Sequence, residues 1–151
     1  MGVVEYLADH KVPFECLPHA PAFSAQKLAK YLGVSGSQVA KAVLLHGPQG
    51  LFLAVLPATH HIDLARLEAL CGGPVRLAHA DEITSAFLDC EWGVVSPFGK
   101  IYGLPAILDE SIQSSGWIVA EAGTHVEAVK LSARDFALLA GGERGSFAVK
   151  G

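Results

Sequence analysis

A chain of 151 residues with 51% apolar side chains can bury a core of its own, and with no repeat, linker or low-complexity stretch it fits one domain over 1–151. A net charge of −4 excludes a general nucleic-acid binder held by a broad basic surface, so any polyanion has to be recognised locally or with a partner's help. No apolar run approaches the roughly 18 residues of a membrane span and no N-terminal signal pattern is present. The odd set Cys16, Cys71 and Cys90, without CxxC spacing, reads as reduced thiols of a cytoplasmic protein.

The helical spacing of Val3, Val4 and Leu7 predicts a first helix over about Gly2 to His10, ended by Pro13. A short strand, Phe14 to Leu17, follows, and His19 then stands in a rigid turn between Pro18 and Pro21, either as a solvated or hydrogen-bonded loop residue or as a catalytic one. Ser24 is an N-cap for a helix through Ala25, Leu28, Ala29 and Leu32, which Gly33 stops. Ser35 or Ser37 caps one further turn leading into Lys41. From Ala42 to Leu45 the run is continuously apolar, as in a strand buried on both faces, and Gly47-Pro48-Gln49-Gly50 turns it into a returning strand, Leu51 to Leu56. A lysine at the mouth of such a strand either reaches out to solvent or faces a cleft where an anion or a polarised carbonyl meets it, because an unpaired buried charge is costly.

Asp63 caps a helix through Leu64, Leu67 and Leu70, which Gly72 and Gly73 end. The preceding His60-His61 invites a metal reading, but no HxH, HExxH or nearby cysteine pair supplies the three or four converging ligands zinc needs. Val75 to Ala78 is a strand, and Asp81-Glu82-Ile83 opens a short helix with acid in its first turn. In Trp92-Gly93-Val94-Val95-Ser96-Pro97-Phe98-Gly99, glycines and a proline shape a loop whose N–H groups can face a ligand while Phe98 walls a pocket; a tight turn packed by one aromatic is the alternative. Strands Leu104 to Leu108, delivering Asp109, then Trp117 to Ala120 and Val126 to Leu131 complete the sheet, with Gly123 and His125 between the last two. Ser132-Ala133-Arg134-Asp135 caps a final helix, Ala133 to Ala140, and Gly141-Gly142 releases a tail.

Several of these stretches, in this order, resemble the YbaK/prolyl-tRNA synthetase-associated domain family of aminoacyl-tRNA editing proteins. The resemblance rests on Leu32-Gly33-Val34, Val39-Ala40-Lys41-Ala42-Val43-Leu44, Leu53-Ala54-Val55-Leu56-Pro57, Val75-Arg76-Leu77-Ala78, Ser96-Pro97-Phe98-Gly99, Leu108-Asp109-Glu110, Ala122-Gly123 and Leu131-Ser132. It implies an α+β fold with a mixed, barrel-like sheet flanked by helices and a cleft around the lysine. It also implies hydrolysis of a mischarged aminoacyl ester, commonly on tRNA(Pro), by Lys41, with His19, Ser96, Pro97, Phe98, Gly99, Asp109, Gly123 and His125 around the substrate. Two departures fall at the expected amino-acid pocket. Ser85 to Cys90 replaces the Thr-Gly-Tyr-like segment of many relatives, and His125 matches only some branches of the family.

The chemistry is compatible with the residues. An aminoacyl ester is already activated, and no GxSxG or evident Cys/His pair is present. Lys41 binding the terminal phosphate or polarising the carbonyl, backbone donors near Gly99 or Gly123, and water or the neighbouring ribose hydroxyl would suffice. No cofactor, metal, membrane or DNA is called for. Lys27, Lys30, Lys100 and Lys130 are candidates for local tRNA contacts, with prolyl-tRNA synthetase the candidate partner to supply the rest. Phe98, His125 and the segment from Phe87 to Cys90 are candidates for setting a size limit, with alanine removed first and cysteine or serine next. Two other readings compete: a non-catalytic module holding an aminoacyl end or small anion in the same cleft, and a metal hydrolase built on His60 and His61.

Overall fold

The computed structural model describes residues 2–151. Helix α1 (Val3–Asp9) forms where expected and buries Val3 and Leu7, but its third buried position is Tyr6, while Val4 is left exposed; β1 (Phe14–Pro18) follows. Helix α2 (Ala25–Leu32) begins where Ser24 Oγ accepts from the Lys27 N–H at 3.1 Å and ends at Gly33, whose φ of 67° is left-handed backbone. A 3-10 turn, Gly36–Gln38, capped by Ser35, delivers the chain into β2 (Ala40–Gly47). Strand β3 (Gly50–Pro57) returns antiparallel, with Lys41 opposite Leu56 and Gly47 opposite Gly50.

The rest of the chain covers this hairpin. It comprises β4 (His60–Ile62), α3 (Leu64–Cys71), β5 (Arg76–Leu77), α4 (Ala80–Ala86), β6 (Ala106–Asp109), β7 (Trp117–Glu121), β8 (Glu127–Ser132), α5 (Ala133–Ala140), β9 (Glu143–Gly145) and β10 (Ala148–Lys150). The strands form three sheets, ordered β5-β2-β3-β6-β9, β1-β8-β7 and β10-β4. Pairing is antiparallel except where β6 lies parallel to β3 and to β9. The architecture is α+β with mixed sheets, as expected, but among the described residues the strands do not close into a barrel.

Strand β3 shows why the apolar run is continuous. Leu53 and Val55 point into a core shared with Phe98, Phe136 and Tyr6, under α1 and α5. Phe52, Ala54 and Leu56 point the other way, into a second core with Leu67 of α3 and Phe147. A third, smaller core holds α2 against the sheets through Leu28, Ala29, Val39, Val119 and Ala128. Both faces of β3 are therefore dry, and alternation has nothing polar to expose. Strands β4, β9 and β10 were not legible in the sequence. Each is three residues long, and each finds its partner far away in the chain. Instead of a loose tail, residues after Gly142 form two strands, with Asp63 N–H donating to the Phe147 carbonyl at 2.8 Å.

Candidate active site

The cleft forms where two sheets meet. A single parallel bridge, Val39 to Val119, joins the entrance of β2 to β7. Side chains alternate along a strand, so two residues further on each chain returns to the same face. There stand Lys41 on β2 and Glu121 on β7, and both line one cavity of about 250 Å³. Helix α2 and the segment before it supply another wall, with Phe23 and Ser24 ahead of the helix and Gln26 and Leu28 on it; the Gln26 amide nitrogen donates to the Ala58 carbonyl at 3.0 Å and ties that helix to the end of β3. Small apolar groups complete the lining: Ala40, Ala42, Gly93, Val95 and Pro97.

Among the described residues, Lys41 and Glu121 are the only charged side chains that line the cavity. Lys41 is half-buried, and burial lowers its ammonium below the usual lysine value. Burial likewise raises the Glu121 carboxyl to about 7, with Glu91 adding to the rise and His125 opposing it. Among the described residues neither side chain is held in a hydrogen bond or ion pair, with the other or with anything else. Glu121 was missed in the sequence because it ends an apolar strand where a carboxylate normally meets solvent. Its only signal was the two-residue offset from Val119, which is meaningless until Val119 is known to face Val39.

The structure brings two of the sequence candidates, Lys41 and Pro97, to the cavity and places the others around it or away from it. Phe98 is wholly buried in the main core against Tyr6 and Phe136, with ring centroids 5.9 and 5.6 Å apart. Ser96 is wholly buried, its Oγ accepting from the Phe98 N–H at 3.2 Å. Gly99 packs so tightly that an added Cβ would lie 2.5 Å from the Leu104 carbonyl oxygen. Gly123, at φ 99°, accepts the Glu91 N–H at its carbonyl, and the glycine that does line the cavity is Gly93. Asp109 is 1% exposed, and its carboxylate accepts from the N–H groups of Phe147, Ala148 and Ser111 and from the Ser111 hydroxyl. Burial alone would raise that carboxyl, but these bonds outweigh it and hold it below the usual value. His19 places Nδ1 2.7 Å from the Ala20 carbonyl, and its Nε2 is buried without a partner among the described residues.

His125 stands at the mouth rather than in the wall. Its ring lies 4.5 Å from that of Phe23, Nε2 is 2.9 Å from the Trp92 carbonyl, and Nδ1 is 3.3 Å from the Ala22 carbonyl. It thus clips the segment before α2 to the loop carrying Gly93. The aromatic side chains at its two contacts are unusually open for their size, with Phe23 76% and Trp92, met only at its backbone carbonyl, 75% exposed. Of the four lysines expected to contact tRNA, Lys27 and Lys30 are exposed on α2, the helix that walls the cavity. Lys100 lines a separate cavity of about 490 Å³, and the Lys130 ammonium sits 4.1 Å above the Trp117 ring. His60 and His61 lie outside the cavity on β4, His60 Nδ1 being 2.9 Å from the Thr59 hydroxyl. Among the described residues no three potential metal donors cluster there or elsewhere. No helix among those residues is long and apolar enough to cross a membrane.

Residues 19–139 match the family model of the aminoacyl-tRNA editing domain. Among solved structures, a candidate trans-editing enzyme for prolyl tRNA synthetase is similar at 25% identity and a TM-score of 0.82, covering 97% of this chain and 94% of that one. A hypothetical protein shares the fold at 21% identity and a TM-score of 0.85, covering 97% and 99%. So does a candidate signal transduction protein from Marinobacter aquaeolei VT8, at 20% identity and 0.77, covering 98% of this chain and 30% of that one. No curated protein sequence matches. With the cleft framed by the matched residues, the chain belongs to the aminoacyl-tRNA editing domain family and is a hydrolase of the aminoacyl-tRNA ester.

Proposed function

We propose that this chain acts in trans on mischarged tRNA(Pro), removing a small amino acid, alanine first and cysteine or serine next. The observation that carries the reading is the cavity itself: one desolvated ammonium and one carboxyl in a space of about 250 Å³ whose other walls are mostly apolar, with small side chains at Ala25, Ala40, Ala42 and Gly93. That volume lies below the roughly 300–1,000 Å³ of drug-sized sites, which suits the aminoacyl end alone. Lys41 meets the terminal phosphate or the ester carbonyl. Water then adds to the carbonyl carbon, the bond to the ribose oxygen breaks, and that oxygen takes the proton as the free amino acid leaves. Either the ribose hydroxyl or another water receives the first proton. Phe23 and Trp92 offer faces on which the terminal bases can stack, worth about 1–3 kcal/mol each, and Lys27 and Lys30 flank the same mouth. The likeness to a candidate trans-editing enzyme for prolyl tRNA synthetase supports tRNA(Pro) as the substrate and the synthetase as the associated partner.

A selective editor is needed because one binding step separates side chains differing by a methylene by only ~1–3 kcal/mol. Deacylation across a panel of mischarged tRNAs tests the reading. Alanyl-tRNA(Pro) is hydrolysed fastest and prolyl-tRNA(Pro) is spared. Lys41→Ala lowers kcat/KM by about 10²–10³, while the melting temperature does not fall, because the charge removed is desolvated and unpaired. Equal hydrolysis of prolyl and alanyl esters sinks the editing assignment, and wild-type turnover by Lys41→Ala sinks the role of the lysine.

A further inference from the structure

Every aminoacyl ester that is not yet in a peptide carries a free α-ammonium group. On entering the cavity that cation loses water, and an unpaired desolvated ammonium is strongly disfavoured. The lining offers few partners. Ser24 Oγ, which already accepts the Lys27 N–H, and the amide oxygen of Gln26, whose nitrogen donates to the Ala58 carbonyl, are neutral acceptors that bring no counter-charge. Lys41 repels a second cation. Glu121 is the one anionic side chain in the wall, and it makes no hydrogen bond or ion pair among the described residues. The acceptor end of the substrate has the matching polarity, a phosphate at one end and an ammonium at the other.

Building on the editing reading, we propose that Glu121 is the α-ammonium subsite of the cleft, so that the site selects esters with a free amine over N-acylated ones. The Val39–Val119 bridge sets the spacing: it seats Glu121 in register with Lys41, so that the two share a cavity without forming an ion pair among the described residues. An empty cleft leaves the carboxyl unpaired, consistent with its rise to about 7, and the bound ammonium supplies the missing counter-charge. The groups facing it are Lys41 across the cavity and His125, Glu91 and Cys90 beside it.

The test reads binding separately from turnover. The probes are a non-hydrolysable 3′-alanylamido-adenosine 5′-phosphate and its N-acetyl form, titrated into the wild type, Glu121→Gln and Glu121→Asp. The wild type binds the free amine about 10–100-fold tighter than the acetylated probe, as expected for a charge-assisted contact. Glu121→Gln binds the two alike, with its affinity for the acetylated probe unchanged, and Glu121→Asp keeps part of the discrimination. Wild-type preference for the amine weakens as the pH falls below about 7, where the carboxyl takes up a proton. Absence of discrimination by the wild type overturns the proposal, as does a ratio that survives Glu121→Gln or an equal loss on both probes. Deacylation assays of the wild type are run in parallel. If they fail while the amine preference holds, the editing reaction falls and the subsite stands.

Discussion

At the residue scale, Glu121 ties function to stability. Its folded-state value, about 7, lies above the ordinary 4.5, so ionising it is harder in the folded chain than in the unfolded one. The sign follows directly: its contribution is fully present below about pH 4.5 and is lost as the pH rises through about 7. A gap of this size corresponds to at most about 3 kcal/mol, and less where water reaches the carboxyl. Urea denaturation of the wild type and Glu121→Gln should therefore coincide near pH 4 and diverge by pH 8, with the variant more stable. Parallel curves across that range would mean that burial is not what shifts the group. A binding cleft holds such a cost when the ligand removes it, and the apo enzyme is then least stable where its substrate would help most.

At the element scale, the mouth of the cleft depends on one side chain that does not line it. His125 joins the Ala22 and Trp92 carbonyls and packs on Phe23, so the start of α2 and the Gly93 loop move together. A neutral imidazole donates to only one of these carbonyls, which makes the clip looser than a fully paired one. His125→Ala should widen the mouth, lower selectivity between alanyl and larger aminoacyl esters by about tens-fold at most, and raise KM more than it lowers kcat. Rescue of the alanyl preference by His125→Gln would support positioning. Unchanged ratios in His125→Ala would reduce the residue to a loop bond without influence on the pocket.

Across the whole molecule, Asp109 does for the C-terminal strands what Val39 and Val119 do for the cleft. Its two carboxylate oxygens take four donors, from Ser111, Phe147 and Ala148, and so fasten β10 and the wholly buried Phe147 beneath β3. Asp109→Ala strands those buried N–H groups and should lower stability by about 2–4 kcal/mol, while kcat per folded molecule stays close to wild type. A fall in kcat without loss of stability would return Asp109 to the substrate. The elements themselves were legible locally, because caps, glycine stops and apolar periodicity act over a few residues. Ser24, Gly33, Asp63 and Ser132 each stand where a helix begins or ends, and the β2–β3 hairpin follows from its turn. The ordered set of short motifs around Lys41 likewise carried the family. Tertiary structure alone decided which of the polar and aromatic candidates share a space. Phe98 and Gly99 satisfy the same local pattern whether they wall a pocket or fill a core, and only the packing of α1 and α5 sends them inward. Glu121 reaches the cleft because β7, paired in sequence with β8, touches β2 through a single bridge about 80 residues away in the chain, a contact that no local periodicity encodes.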